Sequence, residues 1–128
     1  MIDIGKIVRI ESDGDPNCVN EKSGAMGLMQ ILAHGGALDD WNFAFVDRKF
    51  EPKDLLNPYV NMLIGIWYLF VQLPRIFHRK GINPDDQLLL IGYNWGPGNA
   101  IKWWNNDRTT EGLPKETQDY IKKYMNLK

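Results

Sequence analysis

Glu11 holds the position in this chain best suited to chemistry. It stands seven positions after Ile4 and four after Ile7, and at 100° per residue seven positions return a helix to within about 20° of its starting direction. In a helical segment its carboxyl group therefore lies on the face of those two isoleucines. A charge on an apolar face is costly, and desolvation raises a carboxyl pKa above its ordinary value of about 4.3. An acid that keeps its proton near neutrality can donate it to a leaving oxygen. The other reading is that Glu11, at a helix end, turns to water or pairs with Arg9 or a lysine, as ionisable side chains usually do. Downstream, Ser12-Asp13-Gly14-Asp15-Pro16 is a turn by composition. Its aspartates resemble a fragment of a calcium loop, but the later ligands are missing, so solvated turn acids are expected.

Other chemistries are poorly supplied. One cysteine, Cys18, and two histidines, His34 and His78, offer no zinc-ligand spacing, so neither a metal nor a cofactor is expected. Fifteen Lys and Arg against sixteen Asp and Glu leave a formal charge of -1, which gives no general attraction to nucleic acid or an anionic membrane. The longest apolar run, Met62 to Val71, falls short of the roughly 20 residues of a membrane span, so none is expected. Met1 to Ile10 is interrupted by Asp3, Lys6 and Arg9 and lacks the apolar stretch of a secretory signal. A length of 128 residues with 44% hydrophobic and 24% charged composition predicts one globular domain spanning 1–128.

The elements that must position Glu11 read as helices. The first should end near Ser12, before Gly14 and Pro16. A short second helix is expected over Ala25 to Leu32, and an irregular lobe from His34 to Phe50, where Gly35-Gly36 and Asp39-Asp40 signal loops. Asn57-Pro58 reads as an N-cap and first helical residue opening a long helix. That helix is apolar nearly all round, which predicts a central buried position with neighbours on every side, and Pro74 should kink or end it. Asn83-Pro84 reads as a second N-cap and start, leading into Leu88 to Ile91 and a turn from Gly92 to Gly98. A helix with Ile101, Trp103 and Trp104 follows, and Leu113-Pro114 opens the last, where Thr117, Tyr120, Ile121 and Tyr124 share a face. The predicted fold class is mainly α, with at most a minor β element.

Four blocks in order carry a family resemblance: Glu11-Ser12 with Gly24-Ala25-Met26-Gly27-Leu28-Met29-Gln30-Ile31; Asn57-Pro58 with Asn61, Gly65, Tyr68 and Leu69; Tyr93-Asn94-Trp95-Gly96-Pro97-Gly98; and Leu113 to Thr117 with Tyr120-Ile121. Together they resemble the soluble lytic transglycosylase family, which shares the goose-type lysozyme fold. The resemblance implies that Glu11 is the catalytic acid and then base, acting on peptidoglycan glycan strands. Cleavage of the β-1,4 bond between N-acetylmuramic acid and N-acetylglucosamine would leave a 1,6-anhydromuramoyl end. One carboxyl group suffices when the sugar's own N-acetyl oxygen meets the developing positive charge.

By the same resemblance Gln30 is a cleft amide, Tyr93 and Asn94 bind sugar beside the acid, and Tyr120 approaches the carboxylate from the last helix. On residue type alone these remain equally a surface amide, a turn pair and a core aromatic. Asn20 stands where the family commonly has a cleft serine, and Trp95 replaces a small alanine in the turn. Trp41, Phe43, Trp95, Trp103 and Trp104 are candidates for sugar stacking, with core packing expected for at least half. The setting implied is the periplasm, cell envelope or virion, with attachment to a larger envelope or phage protein left open. Two other functions fit the residues: a hydrolytic muramidase of the same fold, needing a second acid such as Asp39, Asp40 or Asp47, and a non-catalytic glycan-binding module.

Overall fold

Asp3 accepts a hydrogen bond from the Lys6 amide and opens α1, Ile4–Ser12, in the computed structural model, which describes residues 1–128. The helix stops where Asp13 turns left-handed at φ 53° and returns its amide to the Arg9 carbonyl. The chain divides into two compact units, Asp3–Tyr68 and Leu69–Lys128 with Met1–Ile2.

In the first unit α1 is followed by a looped segment with two isolated β-bridges, Val19 to Met26 and Met26 to Ile31. The helix expected over Ala25 to Leu32 is therefore absent. Its apolar residues have a helix-like spacing, but Gly24, Gly27 and Gln30 all take positive φ, which breaks any continuous helical ladder. The lobe expected to be irregular instead contains α2, Ala37–Ala44, started by two acids in its first turn. Trp41 of α2 is buried and stacks at 4.1 Å on Phe45 and edge-on at 5.4 Å to Trp67, while its indole N–H donates to the Arg48 carbonyl. A 3-10 turn, Pro52–Leu56, leads into α3, Pro58–Trp67, and Asn57 accepts from the Tyr59 and Val60 amides as expected. α3 buries Asn61, Ile64 and Gly65, whereas Tyr59, Leu63 and Ile66 are exposed, so neighbours do not surround it on every side.

Pro74 does not end the helical run, but the α-helical ladder from α3 is interrupted just before it. A π-turn, Tyr68–Gln72, leads directly into α4, Leu73–Arg79, with Pro74 in its first turn. Proline has no amide to bond four residues back, and a wider turn just upstream accommodates the missing bond. The helical run Pro58–Arg79 is 22 residues long with a mean hydropathy of 1.4 over its most apolar window, so by length and composition it could cross a bilayer; 44% of that window is buried within the protein. The apolar run in the sequence is shorter than this helix because Pro58 to Asn61 and Gln72 to Arg79 extend it on both sides.

The second unit is built from α4, α5 (Asp86–Trp95), α6 (Pro97–Asn106) and α7 (Lys115–Asn126). Asp85, not Asn83, caps α5, accepting from the Leu88 amide at 2.8 Å. Leu88 to Ile91 are all buried, as are Leu73 and Phe77 of α4 and Ala100 of α6. The turn expected from Gly92 to Gly98 narrows to Gly96, because Gly92 to Trp95 are the last turn of α5. Pro114 caps α7 as expected.

Candidate active site

Glu11 occupies the last turn of α1 and is half-buried, one turn along from the fully buried Ile7. Its neighbour Ser12 is 7% exposed, and the Ser12 hydroxyl lies 2.8 Å from the Leu28 carbonyl and 3.0 Å from the Val8 carbonyl. The hydroxyl thus fastens the end of α1 to the segment carrying Gln30.

A second fastening comes from α3. Asn61 is fully buried, donates its amide to the Met26 and Leu55 carbonyls at 2.8 and 2.9 Å, and accepts from the Met29 amide at 2.8 Å. Buried polar groups need such partners, and this one side chain saturates three backbone groups from two segments. Gly27 permits the approach. It has φ 80°, and a Cβ there would collide with the Asn61 amide and the Leu55 carbonyl. Gly65, one helical turn after Asn61, leaves room for Met29: a Cβ on it would collide with the Met29 sulfur and meet its methyl at 2.8 Å. Met29 is fully buried.

Gln30, expected in the cleft, is half-buried with φ 52°. Its amide nitrogen donates to the Cys18 and Gly27 carbonyls at 3.1 and 3.0 Å, so its two N–H groups close the loop and its carbonyl oxygen is the group left to meet a ligand. Asn20 is exposed, and its side-chain carbonyl accepts from the Lys22 and Ser23 amides at 2.9 and 3.2 Å, forming a turn. Its NH2 group remains for a ligand. Asp39 accepts from the Gly35 amide at 2.7 Å. The buried Tyr68 hydroxyl is pushed well above the ordinary phenol range, first by burial and then by the Asp40 carboxylate charge.

In the second unit, α5 carries Tyr93 and Asn94, both half-buried, in its last turn. The buried Thr117 hydroxyl of α7 donates to the Asn94 side-chain carbonyl at 2.8 Å. Tyr120, three residues on, is 5% exposed on the same face of α7. Asn94 and Tyr120 are thus placed by one pair of packed helices. Of the candidate stacking rings, Trp41 is core and Phe43 is 88% exposed, while the Arg108 guanidinium lies 3.9 Å from the Trp104 ring centre. Trp95 and Trp103 line an open cavity over α6. No three His, Cys, Asp or Glu side chains converge as metal ligands would.

Residue-type reasoning assigns no role to Ser12 or Asn61. The available signal was an asparagine inside an otherwise apolar helix, a position that requires bonding partners.

Residues 4–114 match the family model described as the transglycosylase SLT domain. The chain is 32% identical over 110 residues to endo-type membrane-bound lytic murein transglycosylase A of Citrobacter koseri, covering 82% of this chain and 52% of that protein. It is 30% identical over 105 residues to membrane-bound lytic murein transglycosylase C of Histophilus somni, covering 80% of this chain and 28% of that one. Among solved structures, the 70 kDa soluble lytic transglycosylase of Escherichia coli superposes with a TM-score of 0.73 at 28% identity, over 95% of this chain and 20% of that chain. The chain spans about half the length, or less, of the curated relatives it matches.

Proposed function

Since this chain belongs to the transglycosylase SLT domain family, with the mainly helical lysozyme-like fold of that family, we propose that it is a peptidoglycan lytic transglycosylase whose acid and base is Glu11. The observation that carries the reading is the position of Glu11. It is a half-buried residue at a helix end that Ser12 ties to the Gln30 segment.

The chemistry follows from one carboxyl group. Neutral Glu11 gives its proton to the glycosidic oxygen as the bond from that oxygen to C1 breaks, and the N-acetyl oxygen of the same sugar takes up the positive charge growing at C1. Ionised Glu11 then removes the proton of the C6 hydroxyl while that oxygen bonds to C1. The proton returns to Glu11 and no water is consumed, so the product carries a 1,6-anhydromuramoyl end. The Gln30 carbonyl, the Asn20 NH2 group, Tyr93, Asn94 and Tyr120 serve the sugars in this reading, with Asn94 oriented by Thr117. Residues 1–128 act as a single catalytic domain, and the glycan strand sets the place of action at the periplasm, cell envelope or virion.

Hydrolysis would require a second acid to activate water. Asp39, one candidate, already accepts the Gly35 amide. The test is digestion of purified sacculi followed by mass spectrometry. Products one water lighter than hydrolytic fragments are expected, and Glu11→Gln abolishes their release while binding of strands persists. Full-mass products would make the enzyme a muramidase; unchanged release by Glu11→Gln would remove Glu11 from the reaction.

A further inference from the structure

The cavity over α6 has a volume of about 250 Å³ and is lined by Trp95, Asn99, Lys102, Trp103, Asn106 and Asp107. Asn99, Lys102, Trp103 and Asn106 recur at i, i+3, i+4 and i+7, so one face of α6 supplies most of the lining. The fully buried Ala100 lies on another side of the helix, and Asn99, Lys102 and Asn106 are exposed. The lining residues are thus not needed to fill the core.

Their local bonding fixes what they present. Asn99 and Asn106 each donate one amide N–H to the carbonyl four residues back, Trp95 at 3.0 Å and Lys102 at 2.8 Å. Each keeps a second N–H and a carbonyl oxygen for a ligand. The Trp103 indole N–H donates to the Thr109 carbonyl at 2.8 Å, which holds the ring in place and leaves its carbon surface to the cavity. Lys102 and Asp107 give one charge of each sign. A charge-balanced lining of two indoles and two oriented amides suits a neutral ligand with an apolar C–H face, hydroxyls and an amide. The volume lies just below the roughly 300 Å³ at which typical small-molecule sites begin, so it suits one ring and not an extended segment.

We propose that this cavity is an accessory saccharide site taking a single N-acetylhexosamine unit of a glycan strand. The inference rests on the reading above for the identity of the strand. Trp95 and Trp103 stack on the sugar's C–H face, and Asn99 and Asn106 meet its hydroxyl and acetamido groups. Such a site would hold the strand at a point fixed by α6.

The test is a nuclear magnetic resonance titration of the full chain carrying Glu11→Gln with the soluble N-acetylglucosamine tetramer. Saturable movement of the Trp95 and Trp103 indole signals and of the amides of residues 99–107 is expected. Because Trp103 also anchors the 109 turn, the variant used is Lys102→Ala with Asn106→Ala, which should need about tenfold more tetramer for the same movement. Stationary α6 signals at saturating tetramer, or equal titrations of the two proteins, would overturn the site. Sacculi digestion by the native chain is read in parallel. Anhydro products with stationary α6 signals remove this site and leave the reaction standing; moving α6 signals without anhydro products keep the site and remove the reaction.

Discussion

At the scale of single residues, the side chains that fix the site outnumber those that would do its chemistry. Ser12 follows the proposed acid directly and holds the end of α1 against the Leu28 carbonyl. Ser12→Ala should cost about 1 kcal/mol in urea unfolding. Well below the unfolding midpoint, it should also slow muropeptide release several-fold while strand binding stays close to normal, because a small displacement of the acid affects the reaction more than the binding of a polymer. A loss of stability with no loss of rate would confine Ser12 to folding. The helix that carries Glu11 one turn after Ile7 was legible from their spacing. The work of Asn61 was not, because its partners lie 32 and 35 residues away in sequence and 6 residues away at Leu55.

Elements were legible where their signals are local. Asn57 announces α3 because its side chain bonds the Tyr59 and Val60 amides next to it, and Pro114 announces α7 because its fixed φ suits the start of a helix. The segment from Ala25 to Leu32 has helical apolar spacing, yet its conformation is imposed by Asn61 from another element, and no local pattern reports that. α2 was obscured by neighbouring glycines and adjacent acids that read as loop, although acids also favour a helix start. At α5 two neighbouring residue pairs competed for one role. Asp85→Ala should lower stability by about 1 kcal/mol by removing the cap on the Leu88 amide, and Asn83→Ala should change it by no more than about 0.5 kcal/mol. Thermal denaturation of the two variants decides which residue caps the helix carrying Tyr93 and Asn94.

For the molecule as a whole, Tyr68 ties stability to alkaline pH. The native state keeps the phenol proton above the point, near pH 10, where the unfolded chain releases it. Between that point and the higher native value the unfolded state binds fewer protons, so stability falls as pH rises. Unfolding curves from pH 8 to 11 should show a smaller decline for Tyr68→Phe than for the native chain; identical declines would place the alkaline sensitivity elsewhere. The family assignment was legible because its four blocks keep their order along nearly the whole chain.

The notch at Gly65 also governs which sequences can succeed this one. Because Met29 fills the space a larger residue 65 would need, the two positions form an epistatic pair. Gly65→Ala alone should be purged from a library selected for folding, and it should reappear mainly in clones in which residue 29 has also been shortened.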